Sequence, residues 1–177
     1  MTLLRAGDLV ATPWRNGRGV TRDVVTVLGR DGDLRWQASL AELTEDCDFS
    51  DYAGFDRVFT PVAGGGIALS HDGGPFVPCP LLTPHAFAGE ARTHCRIGGE
   101  AGRAFNVITA RGQHRAHVEV LRLAAGMPAP SGAVLHCWSG LLDADGDTAG
   151  PGDSLLDAPA TAAAPSVVVL VRIGPAG

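Results

Sequence analysis

The sequence predicts an all-β protein, two small jelly-roll-like β-barrels carried on one chain. Three observations lead there. Short runs rich in Val, Leu, Ile and Thr recur, each closed by a turn bearing Gly, Pro or Asp. No segment combines the length and the 3.6-residue periodicity of a helix. An outline also repeats: residues 58–90 and 134–159 each hold a strand ending in glycine, a short strand, a turn, and a Pro- or Gly-marked loop. Many short strands with such turns make a sandwich or barrel, and a doubled pattern makes two packed side by side.

Residues 3–11 form a short opening segment. Residues 13–24 are a turn running into a strand, 20–28, which ends at Gly29-Arg30-Asp31-Gly32-Asp33. Residues 34–43 are its antiparallel return; alternation puts Trp36, Ala38 and Leu40 on one face and Gln37, Ser39 and Ala41 on the other. Residues 44–55 are a polar loop with an aromatic end. A strand over 57–63 is broken by Gly64-Gly65-Gly66, and another over 67–70 stops at His71-Asp72-Gly73-Gly74. Four prolines within 75–84 exclude a helix interior or a central strand there. Residues 87–90 read as a loop with one aromatic anchor, and 103–111 as a strand with Asn106 as its polar exception. His114 and His117 fall in an exposed, Arg-flanked loop before a β-like stretch at 118–123. The pattern then returns compressed: strands at 133–138, 141–144 and 154–157, tight turns between, and an Ala/Pro/Thr-rich link to a buried last strand at 166–173. The division expected is 1–112 and 113–177, two lobes in one compact unit, with exchange of strands between them as an option.

With 177 residues, 45% of them apolar, the chain can bury a real core. A net charge of −5 argues against a general nucleic-acid or anionic-membrane binder. All 14 basic residues are arginine, as GC-rich codon usage produces, so their positions are informative and their number is not. Cys47, Cys79, Cys95 and Cys137 are widely spaced with no Cys-x-x-Cys pair, which fits neither a zinc site nor a disulfide framework. All four are expected to be reduced thiols of a cytoplasmic protein. The N-terminus lacks a signal-peptide apolar region, and no apolar run approaches the ~20 residues of a membrane helix.

The densest motif is Pro13-Trp14-Arg15-Asn16-Gly17-Arg18-Gly19-Val20-Thr21-Arg22, a glycine-bearing turn holding arginines beside a flat indole. With Trp36-Gln37-Ala38-Ser39-Leu40-Ala41, Phe49-Ser50 followed by Gly54 and Arg57, the Gly64–Gly66 turn, Pro84 with Phe87, Gly89 and Glu90, and Phe105-Asn106-Val107 with Arg111-Gly112, it resembles the HutD/Ves family. The similarity spans roughly residues 10 to 112, and the remainder by outline. Arg18 stands where the family usually has a glycine, and Ala104 where an acidic residue often precedes Phe-Asn. The resemblance implies a bicupin fold and a link to histidine utilisation. It also implies a role as a small-molecule-binding modulator, with urocanate or formylated glutamate derivatives as ligands and no established catalytic activity.

Inward-facing positions alternate along barrel strands, so polar exceptions on several strands can meet in one mouth. The candidates are Arg15, Asn16, Thr21 and Arg22 from the first unit, Ser39 from the second, Arg57 from the third, and His85 and Asn106 beyond. Arginine forks and amide donors suit a carboxylate, while Trp14, Trp36, Phe87 and Phe105 can flank a planar ring. The expected partner is a small carboxylate, with no nucleic acid, no membrane and, as an option, a second copy of the chain. No cofactor is expected. Neither is a metal, since the histidines are isolated or unaccompanied by the acid a cupin site requires. No nucleophile elbow, Cys–His spacing or phosphate loop is present, so no catalytic residue is assigned. The alternatives are a metal-independent isomerase or hydrolase using His85 or Glu90, and an interaction module with a vestigial pocket.

Overall fold

The computed structural model describes residues 2–14 and 19–176. In chain order its strands are β1 (Thr2–Leu4), β2 (Ala11–Pro13), β3 (Gly19–Leu28), β4 (Leu34–Leu43), β5 (Cys47–Asp48) and β6 (Phe55–Ala63). Next come β7 (Ile67–His71), β8 (Val77–Pro78), β9 (His85–Ala88), β10 (Thr93–Ile97), β11 (Gly102–Ala110) and β12 (His114–Leu123). The last are β13 (Val134–Ser139), β14 (Leu142–Ala144), β15 (Asp147–Ala149), β16 (Ser154–Leu156), β17 (Thr161–Ala162) and β18 (Ser166–Pro175). Among the described residues the only helical element is a single 3₁₀ turn at Ala6–Asp8. No helix among them is long and apolar enough to cross a membrane.

The chain divides into two compact units: Val10–Arg115 with Pro175–Gly177, and Ala116–Gly174 with Met1–Leu9. In the first, a six-stranded sheet of order β2-β3-β4-β11-β6-β9 is packed on a four-stranded one of order β5-β10-β7-β8. Leu43, Phe59 and Ala104 of the larger sheet meet Cys47, Ile67, Leu69 and Cys95 of the smaller in one apolar cluster. The second unit pairs a five-stranded sheet, β1-β16-β13-β18-β12, with a three-stranded one, β15-β14-β17. Its core is filled by Leu135, Cys137, Leu142, Leu155, Val168 and Leu170, all nearly inaccessible. All four cysteines are buried, and none forms a disulfide among the described residues.

Several stretches differ from the sequence reading, each for a local reason. Phe87 and Ala88, the first half of the loop expected over 87–90, belong to the edge strand β9, which pairs with β6 from Phe59↔His85 to Asp56↔Ala88. Four residues between a proline run and Gly89 are too few to display a period. β10 went unread although Thr93 and Cys95 point inward while Arg96 is exposed, the alternation of a half-buried strand. His114 and His117 lie in β12, not in a loop. Two short strands, β15 and β17, occupy stretches read as turn and linker. The proline run behaves as expected: its one strand, β8, sits at a sheet edge.

The opening strand belongs to the second unit, where the sequence division had put it in the first. β1 pairs with β16 from Thr2↔Leu156 to Leu4↔Ser154. Asp153, in the Gly150-Pro151-Gly152-Asp153 turn, explains why. Its carboxylate accepts from Ala6 N (2.9 Å), Gly150 N (3.0 Å) and Arg5 Nη1 (3.0 Å). Burial pushes this carboxyl up, but the Ala6 and Gly150 amides and the Arg5 guanidinium outweigh burial and hold it below the usual range. Removing it leaves two amides and a guanidinium without their acceptor. Asp153→Ala is therefore expected to destabilise the protein by about 2–3 kcal/mol, read as a lower urea midpoint with an unchanged slope.

Candidate functional site

Sheet register assembles one wall of a cavity in the first unit. Asp23 on β3 pairs with Ser39 on β4, Ser39 with Asn106 on β11, and Asn106 with Phe59 on β6. One step along, Gln37, Ile108 and Arg57 are partners in the same way. Side chains directly opposite across a sheet share a face, so these residues project to one side together. With Trp14, Thr21 and the 49–52 loop they line a cavity of about 480 Å³.

Trp14 is set over the start of β3 by its own hydrogen bonds. Its backbone amide donates to Gly19 O (2.9 Å) and its indole Nε1 donates to Thr21 Oγ1 (2.7 Å). A Cβ at Gly19 would stand 2.9 Å from that ring and 2.8 Å from Glu42 O, so the approach requires glycine.

Arg57 closes the opposite end. Its residue is 8% exposed, and among the described residues no carboxylate pairs with it. Nη1 donates to Ser50 O (3.2 Å), while Nε is buried with no hydrogen-bond partner among the described residues. Three rings surround the guanidinium carbon, Phe49 at 5.0 Å, Phe87 at 5.2 Å and Tyr52 at 5.4 Å. Burial pushes its pKa down to about 10, with Tyr52 pulling slightly the other way, so it stays a cation at neutral pH. The loop that supplies two of these rings is pinned to Gly89. Tyr52 N donates to Gly89 O (3.0 Å) and Gly89 N to Phe55 O (2.7 Å), and a Cβ on Gly89 would sit 2.3 Å from Tyr52 O.

Of the sequence candidates, Thr21, Ser39, Arg57 and Asn106 line this cavity. Asn106 is 7% exposed, and among the described residues its amide makes one long contact, Nδ2 to Ala104 O at 3.5 Å. Arg15 and Asn16 lie outside the described residues. Arg22 and Trp36 alternate onto the other face of the sheet, where Arg22 pairs with Glu42. Phe105 is fully buried on the face opposite Asn106. Phe87, the register partner of Arg57, stands behind it as part of the aromatic surround. Sequence reasoning missed Asp23, Gln37, Phe49, Tyr52 and the Ser50 carbonyl. The first two were reachable, each being two residues along its strand from Thr21 or Ser39.

His85 is outside the cavity wall and joins a histidine pair. Its Nε2 is 3.1 Å from His71 Nε2, with the two rings within 4° of coplanar and their centroids 5.4 Å apart. A centroid separation so much longer than the nitrogen separation means the rings meet end to end, sharing one proton. Thr93 Oγ1 donates to Ala91 O (3.0 Å) and so accepts from His71 Nδ1 (2.8 Å). That fixes His71 Nε2 as the acceptor and His85 Nε2 as the donor. Glu90 lies with Arg111, which grips it through two bonds of 2.5 and 2.8 Å. The Arg111 hydrogen bonds draw the Glu90 pKa down to about 2. Among the described residues no three His, Cys, Asp or Glu side chains gather where one ion could be held.

The histidine pair has a pH consequence. Burial is the main cause lowering both pKa values below 6.5; His85 and Arg57 add to it for His71, and Asp72 opposes it. With the folded pKa below the unfolded one, the unfolded state takes up more protons in the interval between them. Stability is then fully present above about pH 6.5 and falls as pH drops toward the folded values. Urea midpoints measured from pH 7.5 to 5 are expected to decline across this window, and the decline is expected to be shallower in His85→Gln.

Comparisons with known proteins agree with this architecture. A family model described as HutD matches residues 6–166. An uncharacterized 21.2 kDa protein in the hutC 3′ region of Pseudomonas putida is 37% identical over 120 residues, 67% of this chain and 63% of that protein. Protein Ves of Escherichia fergusonii is 31% identical over 108 residues, 60% of this chain and 56% of its own. The chain thus spans about three fifths of the length of these two relatives. A structure of HutD from Pseudomonas fluorescens SBW25, in a formate condition, superposes with a TM-score of 0.82 at 26% identity over 99% of both chains. A Cupin 2 conserved barrel domain protein from Leptotrichia buccalis superposes with a TM-score of 0.60 at 11% identity, covering 99% of this chain and 96% of its own, which shows a shared cupin fold.

Proposed function

Because this chain belongs to the HutD family, we propose that it binds the carboxylate of a histidine-catabolism metabolite, of urocanate or formylated-glutamate type, and so modulates histidine utilisation. The observation that carries this reading is Arg57. A buried guanidinium without a counter-ion costs several kcal/mol, which three cation–π contacts of about 1–2 kcal/mol each only partly offset. An anion beside the guanidinium would supply the balance, and the cavity lined in part by Arg57 offers room for a small one. Ser39, Asn106 and Gln37 add hydroxyl and amide donors along the same wall. A carboxylate fits the donor geometry of a guanidinium edge, and the Trp14 and Tyr52 rings suit a flat ligand body. Four buried cysteines without a disulfide among the described residues fit a reducing cytoplasm.

Arg57→Met tests the reading, because it keeps length and apolar volume while removing the charge. Titration calorimetry with formate, urocanate and formylglutamate is expected to show binding of at least one by the natural protein. In the variant that affinity is expected to fall roughly thirtyfold or more, the loss of about 2 kcal/mol typical of a buried charge pair cut on one side. Without ligand, the same variant is expected to unfold at a higher temperature than the natural protein, since an uncompensated buried charge has gone. No carboxylate binding, or a variant that melts lower and binds as before, would sink the proposal and leave Arg57 as a structural residue.

A further inference from the structure

One ring, Phe87, packs against both the Arg57 guanidinium and the histidine pair. Its centroid is 5.2 Å from the guanidinium carbon, 4.7 Å from the His71 ring centroid and 5.9 Å from that of His85. The first two legs together span no more than about 10 Å, the distance over which 0.1 M salt screens charge. A charge on the pair and the charge on Arg57 therefore act on each other. Burial is the main cause lowering the His71 pKa and His85 the next, and Arg57 adds to them against the pull of Asp72.

The pair can take one more proton without coming apart. His71 Nδ1 is committed to Thr93 Oγ1, and the two Nε2 atoms are committed to each other. His85 Nδ1 has no hydrogen-bond partner among the described residues, so the added proton goes there. His85 is then an imidazolium whose Nε2–H still donates to His71 Nε2, through a stronger, charge-assisted bond. The charged groups that act on the pair are Arg57 from β6 and Asp72 from the turn after β7, with Arg92 lying 3.9 Å from Asp72. On β10, His94 alternates onto the other face from Thr93 and holds Asp48 (2.7 Å). Of the groups around Phe87, histidine is the one whose charge changes between pH 5 and 8.

Resting on the carboxylate reading above, we propose that the His71–His85 pair couples the Arg57 site to pH: a carboxylate on Arg57 and a proton on the pair each favour the other. Without a ligand, the guanidinium repels a second cation at the pair. A bound carboxylate balances the guanidinium and lifts that repulsion, so the pair takes up protons as the ligand binds. Linkage makes the effect reciprocal, and the charged pair tightens the grip on the carboxylate by the same factor. The pair titrates below 6.5 in the folded protein. The gain is therefore absent at pH 7.5 and develops as pH falls below about 6.5. Its direction is opposite to that of stability: acid weakens the fold through this pair and strengthens the site.

The probe is formate or formylglutamate, whichever binds more tightly, since neither titrates between pH 5 and 8. Proton NMR of the histidine rings in the full chain is expected to show the pair titrating about 0.5 higher with saturating probe than without it. Calorimetry is expected to give a Kd at least about twofold tighter at pH 5 than at pH 7.5, the same coupling read from the ligand side. In His71→Gln/His85→Gln the Kd at pH 7.5 is expected to stay within twofold of the natural value, and the pH dependence to vanish. The unfolding midpoint at both pH values verifies that this variant is folded, and should it fail to fold, the NMR titration of the natural protein decides. A Kd that does not tighten in acid, a pair whose titration the probe leaves unmoved, or a pH dependence that survives the double substitution overturns the coupling alone. Failure of both probes to bind overturns this inference. If urocanate also fails, or the affinity is indifferent to Arg57→Met, the carboxylate reading falls with it.

Discussion

Everything around the cavity turns on the burial of one guanidinium. Arg57 sits on β6, between β11 and the edge strand β9, with its side chain buried at the end of the cavity. The structure handles this with delocalised, weak partners instead of a counter-ion. Phe49, Tyr52 and Phe87 offer their π-faces, and Ser50 offers a carbonyl. That choice dictates the loop at 49–55, which must fold back over the strand to deliver the rings and the carbonyl. The loop in turn requires Gly89, because its backbone approaches Tyr52 O too closely for any side chain. One charge thus accounts for the conformation of a loop, the identity of a glycine and the packing of three aromatics.

The remaining polar groups follow from register rather than from any single contact. Antiparallel pairing carries Asp23, Ser39 and Asn106 in one row and Gln37 and Arg57 in the next, so a wall of alternating chemistry is built by backbone hydrogen bonds. A slip of one residue would turn the entire row to the opposite face. The other face carries Leu40, Phe105 and Val107, all strongly buried, which penalises such a slip and holds the cavity wall in place. Apolar burial on one side of the sheet is therefore what positions polar groups on the other.

This division explains how much was legible in the sequence. Alternation over residues 34–43 separates Ser39 from Trp36 and Leu40, and Asn106 stands out as a polar residue in an apolar strand. Both line the cavity. Arg22 did not follow the same logic, because it is one residue out of phase with Thr21 and so belongs with Glu42 outside. Phe49 and Tyr52 have no period to reveal them: their place depends on a loop whose shape is set by Gly89, more than thirty residues downstream. The His71–His85 pair was equally hidden, since it joins the end of β7 in one sheet to the edge strand β9 of another. β10 was the one strand whose alternation was present and unread.

The other arginines show why Arg57 cannot be regarded as one more structural cation. Arg22 pairs with Glu42, Arg35 with Asp31, and Arg111 with both Asp56 and Glu90. In the second unit Arg172 borders a cleft with Ser131 and Asp157, yet its guanidinium already donates to Glu119 (2.5 Å) and to Ser131 O (3.2 Å). Each of these is more exposed than Arg57 and could have been left to water at little cost. The contrast is inverted from what stability alone would produce: these four more accessible arginines have carboxylates, and the buried Arg57 has none among the described residues. A buried cation that lacks the carboxylate given to Arg22, Arg35, Arg111 and Arg172, at the end of a cavity lined with hydrogen-bonding groups, is the position where the proposed ligand carboxylate would supply the balancing charge.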